Sequence, residues 1–267
     1  MNENPETPTK APMILQRRGQ IAAMVRQHGV VRVSELAAHF QVSEVTIRLD
    51  LVALEKDGEL TRDRGGAIAL TALVPVKSLL GMEFRSDLNN ASKQRIGRAA
   101  AQFVHPGDTI ILDAGTTVVE MVPYLAGIAS LTVVTNALNV AVAVMEKTDA
   151  QVLFLGGNLN RESCSTLGPI AERTLGDLNV QKAFLGAQAL DLAGGITDTT
   201  PEIAQSKRLM LRAARQVILL ADSSKWGRGA FMKVAPLSAV RTLVSDTDLP
   251  LEAQTALQQT GIELILA

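Results

Sequence analysis

Apolar positions in the first seventy residues recur mostly at helical spacing, and after residue 92 short apolar runs begin to alternate with helical stretches. Ile14, Leu15, Ile21, Met24 and Val25 recur at three and four with Arg17 and Arg18 between them, which predicts an amphipathic helix ending at Gly29. Leu36, Ala37 and Phe40 mark a short second helix capped by Ser34 or a neighbour. Gln41-Val42-Ser43 breaks it, and Ser43 with Thr46 fits the cap and first turn of a third helix from Glu44 to about Lys56. Two short helices joined by a tight turn lay a recognition helix in a DNA major groove. Leu60 to Ile68, with Gly65-Gly66 inside, predicts a two-stranded wing. Arg62 and Arg64, two apart, share one face of a strand.

Residues 1–12 hold three prolines and little to bury, and are expected to form a disordered arm before a domain at 13–70. A linker over 71–90 includes Val74-Pro75 and Gly81, part of it packing on the domain that follows at 91–267. There the order is helix (92–104), strand (109–112), helix (118–125), strand (131–134), helix (137–147), then apolar strands near 152–155, 182–185 and 217–220. Strands alternating with helices imply an α/β domain with a mostly parallel sheet covered on both faces. Polar residues and glycines gather just after the strands, where open α/β sheets hold ligands. Asp113, Gly115, Thr116 and Thr117 follow the first strand, Asn136 the second and Gly156-Gly157 the third. Backbone N–H groups and hydroxyls in such loops suit a small anion. A nucleotide fits less well, because neither a GxxxxGK[ST] loop nor a dinucleotide fingerprint is present.

Composition narrows the classes. Hydrophobic residues make up 47% of 267 and aromatics 3%, so the core is aliphatic. The longest apolar runs are too short to cross a bilayer, and the N-terminus lacks an apolar secretion segment, so a cytoplasmic protein without membrane association is expected. The single cysteine, Cys164, and the dispersed His28, His39 and His105 give neither an intrachain disulfide nor a metal cluster. Net charge is −1, and nine basic residues balance nine acidic ones in the first seventy. DNA binding then rests on where the charges stand rather than on their sum. Ser43, Thr46 and Arg48 on the third helix and Arg62 and Arg64 in the wing are the candidate contacts.

The ordered set Gly29, Val33, Glu35-Leu36-Ala37, Phe40, Val42-Ser43, Thr46-Ile47-Arg48, Asp50-Leu51, Leu54, Gly58, Leu60, Arg62 and Gly65-Gly66-Ala67 resembles the DNA-binding domain of the DeoR family of bacterial regulators. The family pattern has a second arginine where this chain has Leu49 and a histidine where it has Arg64. The resemblance continues through Ser92-Lys93, residues 112–117, 131–136, Gly156-Gly157, 165–168, 183–186, 195–197, 207–210 and Asp222-Ser223-Ser224-Lys225. It implies a sensor domain with a sheet like those of ribose-phosphate isomerase and coenzyme A transferase, a phosphorylated sugar as effector and no other cofactor. It also implies a pocket lined by Asp113, Gly115, Thr116 and Thr117, beside Asn136, Gly156 and Lys207, with Arg161 as a further phosphate ligand. The partners expected are an operator duplex and further copies of the chain, as a dimer or tetramer. A sugar-phosphate isomerase using Asp113, Glu202, Lys207 and Lys225 is the enzyme alternative, and a binding-only scaffold a third. Turnover by the second domain without operator binding would favour the enzyme.

Overall fold

The computed structural model describes residues 10–28, 30–63, 65–69, 73–74 and 89–267. The chain divides into two compact units, Met1–Thr71 and Ala72–Ala267. The first contains helix α1 (Lys10–His28), strand β1 (Val30–Arg32), helices α2 (Val33–Phe40) and α3 (Glu44–Lys56), and strands β2 (Leu60–Asp63) and β3 (Gly66–Ala69). Helix α1 begins at Lys10, so it takes in the last three residues of the stretch read as a disordered arm; residues 1–9 lie outside the described residues. The cap of α2 is Arg32, not Ser34: the Arg32 amide donates to Glu35 Oε2 at 3.4 Å, and Ser34 falls inside the helix. Gln41 takes the left-handed conformation (φ 53°) that turns the chain towards α3.

The wing has three strands rather than two, in the order β1-β3-β2 and antiparallel throughout. Val30–Arg32 is too short a run to announce itself by alternation. Gly66 pairs with Arg32, and a Cβ there would sit 2.0 Å from the Val31 carbonyl oxygen, so the close strand approach requires glycine. Ile21, Val25, Val31, Leu36, Ile47, Leu51, Leu54, Leu60 and Ala67 form a small core shared by all these elements.

The second unit is built on a seven-stranded sheet. Its strands are β5 (Thr109–Leu112), β6 (Thr132–Thr135), β7 (Gln151–Phe154), β10 (Val180–Gly186), β13 (Ala214–Leu220), β16 (Thr242–Ser245) and β17 (Glu263–Leu266). Short strands complete the set: β4 (Leu73–Val74) pairs β14 (Gly229–Ala230), β8 (Asn158–Asn160) pairs β9 (Ser165–Leu167), and β11 (Ala189–Asp191), β12 (Gly195–Asp198) and β15 (Met232–Ala235) form a third sheet. Every neighbouring pair in the main sheet is parallel, in the order β17-β16-β13-β10-β5-β6-β7. The chain winds outward from β5 to β7, returns to β10, and winds the other way. The strand order therefore reverses between β5 and β10.

Side chains along each central strand alternate between two apolar layers. Ile110, Leu112, Phe184, Ile218 and Leu220 join one layer, and Ile111, Ala183, Leu185, Val217 and Leu219 the other. Helix α4 (Asn90–Ala101), a 3-10 helix (Val119–Tyr124) and α5 (Leu138–Lys147) supply the first layer. The second comes from α6 (Pro169–Gly176), α7 (Pro201–Ala213) and α8 (Leu251–Gln259). The expected helix over 118–125 is that 3-10 helix, held short by Pro123.

Candidate functional site

In the first unit, Ser43 caps α3, its Oγ accepting from the Thr46 amide at 3.2 Å and lying 2.9 Å from Thr46 Oγ1. Both hydroxyls named from the sequence thus hold the helix start. Arg48 is exposed and donates to Glu44 Oε2 at 2.8 Å, one turn back on the same helix. Arg62 is tied to Glu55 twice, its backbone amide to Oε1 at 2.8 Å and its Nε to Oε2 at 2.6 Å. These bonds hold the Glu55 carboxyl below the usual carboxylate range. Arg64 lies outside the described residues.

Sequence reasoning assigned no role to Asp50. It is buried on α3 and takes Arg17 Nε at 2.6 Å and Arg18 Nε at 2.9 Å, both from α1. This clamp fixes the recognition helix against the first helix. The signal was present as adjacent arginines on an otherwise apolar face. The outward face of α3 carries Val45 and Leu49, each 63% exposed, and Val52, 42% exposed.

In the second unit, the carboxyl ends of β5 and β10 meet where the strand order reverses, the position at which open parallel sheets leave a crevice. Asp113, just past β5, is buried, and its Oδ2 accepts from the Gly186 amide at 3.1 Å and from Lys207 Nζ at 2.9 Å. Lys207, buried on α7, also reaches Asp198 Oδ2 at 3.0 Å and the Gly186 carbonyl oxygen. Burial alone would depress the Lys207 pKa; the two carboxylates outweigh that and raise it. Three acceptors use the three N–H groups of the ammonium, so Lys207 braces β5, β10 and β12 instead of projecting towards a phosphate. Asp198, which completes this brace, had no motif to mark it. Glu202 is exposed at the first turn of α7 and is not brought to Lys207.

Thr116 and Thr117 are buried in the turn after β5. The 3-10 helix that follows is only six residues long, Val119–Tyr124, which leaves the anion argument resting on the local N–H groups and hydroxyls of the turn. Gly115 makes only ordinary contacts where a Cβ would stand. Asn136, past β6, is buried and donates through Nδ2 to the Thr166 carbonyl at 3.1 Å, and its Oδ1 has no hydrogen-bond partner among the described residues. Of the glycine pair after β7, Gly157 makes the close approach: its φ is 130° and a Cβ would lie 2.6 Å from the Leu167 carbonyl oxygen. Gly156 is exposed, and Arg161 is exposed and pairs with no described residue.

A second cluster stands past β13, two strands or about 10 Å from β5. Asp222 is buried there, and its Oδ1 accepts from Asn89 Nδ2 and the Ser224 amide, each at 3.1 Å, and from the Ser224 hydroxyl. Burial pushes the Asp222 carboxyl up; Lys225, Ser224, Lys93 and Asn89 overcome it and hold the pKa below the usual value. Burial lowers the Arg228 pKa while Asp222 opposes the shift. Lys225, Lys93 and Arg228 all act electrostatically with this carboxylate, Lys93 from a buried position on α4. Sequence reasoning placed Lys93 and Lys225 in separate blocks of the family resemblance and did not join them. Among the described residues no helix is long and apolar enough to cross a membrane, and no group of three acidic, histidine or cysteine residues could hold a metal.

Residues 17–72 match the family of the DeoR-like helix-turn-helix domain, and residues 88–247 that of the DeoR C terminal sensor domain. The chain is 35% identical over 252 residues to the HTH-type transcriptional repressor GlcR of Bacillus subtilis, covering 94% of this chain and 95% of that protein. It is 30% identical over 251 residues to the glycerol-3-phosphate regulon repressor of Escherichia coli K12, covering 94% and 98%. Among solved structures, ribose 5-phosphate isomerase A of Methanocaldococcus jannaschii is similar at 15% identity and a TM-score of 0.39, covering 52% of this chain and 55% of that one. A likeness of that size says nothing of ligand or chemistry. Family matches over both units and end-to-end similarity to repressors rule out the isomerase reading, and the chain belongs to the DeoR family of DNA-binding transcriptional regulators.

Proposed function

We propose that this regulator represses a carbohydrate-metabolism operon in the cytoplasm and that a phosphorylated sugar, bound at the carboxyl edge of the sensor sheet, changes its hold on DNA. The observation that carries the reading is the reversal of strand order between β5 and β10, with polar residues gathered past both strands and a cationic cluster past β13. Asp113, Gly115, Thr116 and Thr117 form the floor of the effector site. Asn136 Oδ1, buried without a partner among the described residues, is an acceptor suited to a sugar hydroxyl. The phosphate lies towards Lys93, Lys225 and Arg228, with Arg161 and Gly156 at the rim, while Lys207 holds Asp113 in place without touching the ligand. Operator contacts come from Arg48, Arg62 and Arg64 and from the first turn at Ser43 and Thr46.

Two copies are needed to place two recognition helices on a symmetric operator. Leu138, Val142 and Met145 on α5 and Leu153 and Phe154 on the edge strand β7 expose apolar surface that supports such pairing. An effector switches the protein by binding one arrangement more tightly, by roughly 5 kcal/mol for a full switch. The test is operator binding by the full chain against a panel of sugar phosphates and their unphosphorylated counterparts. One phosphorylated sugar is expected to shift the affinity while its free sugar does not. No response from any phosphorylated sugar would refute the effector reading.

A further inference from the structure

Helix α3 buries Ile47, Leu51 and Leu54 on one face. Val45, Leu49 and Val52, at helical spacing on the opposite face, point to solvent at 63%, 63% and 42% exposure. Three large aliphatic side chains therefore form a stripe along the outside of the recognition helix, apart from the core of their unit among the described residues. Val45 and Leu49 are the second and sixth residues of the helix, in the N-terminal half that helix-turn-helix proteins present to base edges. The polar groups beside them are Arg48, paired on the surface with Glu44, and Ser43 and Thr46, which bond each other at the helix start.

We propose that Val45 and Leu49 read thymine through its C5 methyl group in the major groove, with Val52 flanking them. The methyl is the apolar feature that a base pair offers there, so an aliphatic side chain discriminates thymine from the other bases. The stripe is continuous with the face that carries Arg48, so the occupant is the operator itself. This inference rests on operator binding by the N-terminal unit. It makes the loss of an arginine at position 49 a change in what is read, from a charged contact to an apolar one.

The test uses the full chain and a duplex selected from a random pool, with thymines replaced singly by deoxyuridine, which removes the methyl alone. At one or two positions in each half-site, binding is expected to weaken about fourfold per contacted methyl. Leu49→Ala or Val45→Ala is expected to abolish the difference between the thymine and uracil duplexes at its own position. Uniform indifference to uracil, or a methyl effect unchanged in both variants, would overturn the proposal. The uracil arm needs no variant, so misfolding cannot mask the result. Absence of sequence-dependent binding to the unmodified duplex would overturn the operator reading, and this one with it.

Discussion

Lys207 is buried on α7 against the ends of β5, β10 and β12. A lysine among polar loops in a family that implies a phosphate ligand reads as a clamp. Its three acceptors, Asp113, Asp198 and the Gly186 carbonyl, make it a brace. Replacing it with methionine strands two buried carboxylates, which costs about 3–5 kcal/mol. Lys207→Met should therefore lower the unfolding transition of the sensor unit in the full chain, as followed by calorimetry. An unmoved transition would show that the brace contributes little. Because its folded pKa is raised, its stabilisation is present below the ordinary lysine pKa and is lost only as pH rises through the higher folded value. It adds no pH dependence from about 6 to about 9. Asp222 behaves in the opposite sense. Its folded pKa is depressed, so its contribution is present above the ordinary aspartate value near 4 and fades as pH falls through the folded value. Asp222→Asn should weaken the sensor unit at pH 7 and flatten its loss of stability below about pH 4. Equal acid sensitivity in variant and parent would disprove that assignment.

At the scale of elements, the first unit has a small core and leans on one charged clamp. Asp50 joins α3 to α1 through Arg17 and Arg18. Asp50→Ala leaves two guanidinium groups without their partner, and a loss of roughly 3 kcal/mol is expected in the transition of that unit. Operator affinity should fall with it, and a variant with full stability would contradict the clamp. Helix α3 was legible residue for residue, because a capping serine, a helical apolar period and a terminal glycine all agreed. The strand at 109–112 was equally plain. Val30–Arg32 was not, since a three-residue strand is defined by the partner it finds and not by its own period. Asp198 was invisible for the same reason: its role depends on β12 folding back towards α7 from a sheet that no local pattern predicts. The residues past β5, β6 and β7 could be named as candidates because each follows an apolar run that ends in polar residues and glycines. Around Asp222, Lys225 and Arg228 are near in sequence, but Lys93 and Asn89 come from more than a hundred residues away, and no local pattern joins them to it.

At the scale of the whole molecule, two units with separate cores divide the labour. One reads DNA, and the other, on the proposed function, decides when. Association between copies should depend on the apolar face of α5, so Val142→Glu with Met145→Glu is expected to shift the particle to a smaller mass in analytical ultracentrifugation. The same variant should bind a two-half-site operator more weakly and lose little on a single half-site. An unchanged mass would move the interface elsewhere. The central claim is that DNA affinity is conditional on a phosphorylated ligand of the sensor. It is tested most directly by titrating the full chain onto its selected operator with and without a sugar phosphate, at fixed salt, for the parent and for Thr116→Val with Asn136→Ala. The parent should change its operator affinity with the ligand, and the double variant should keep the affinity and lose the change. Operator affinity that no sugar phosphate alters, or a response that survives in the double variant, would contradict the account.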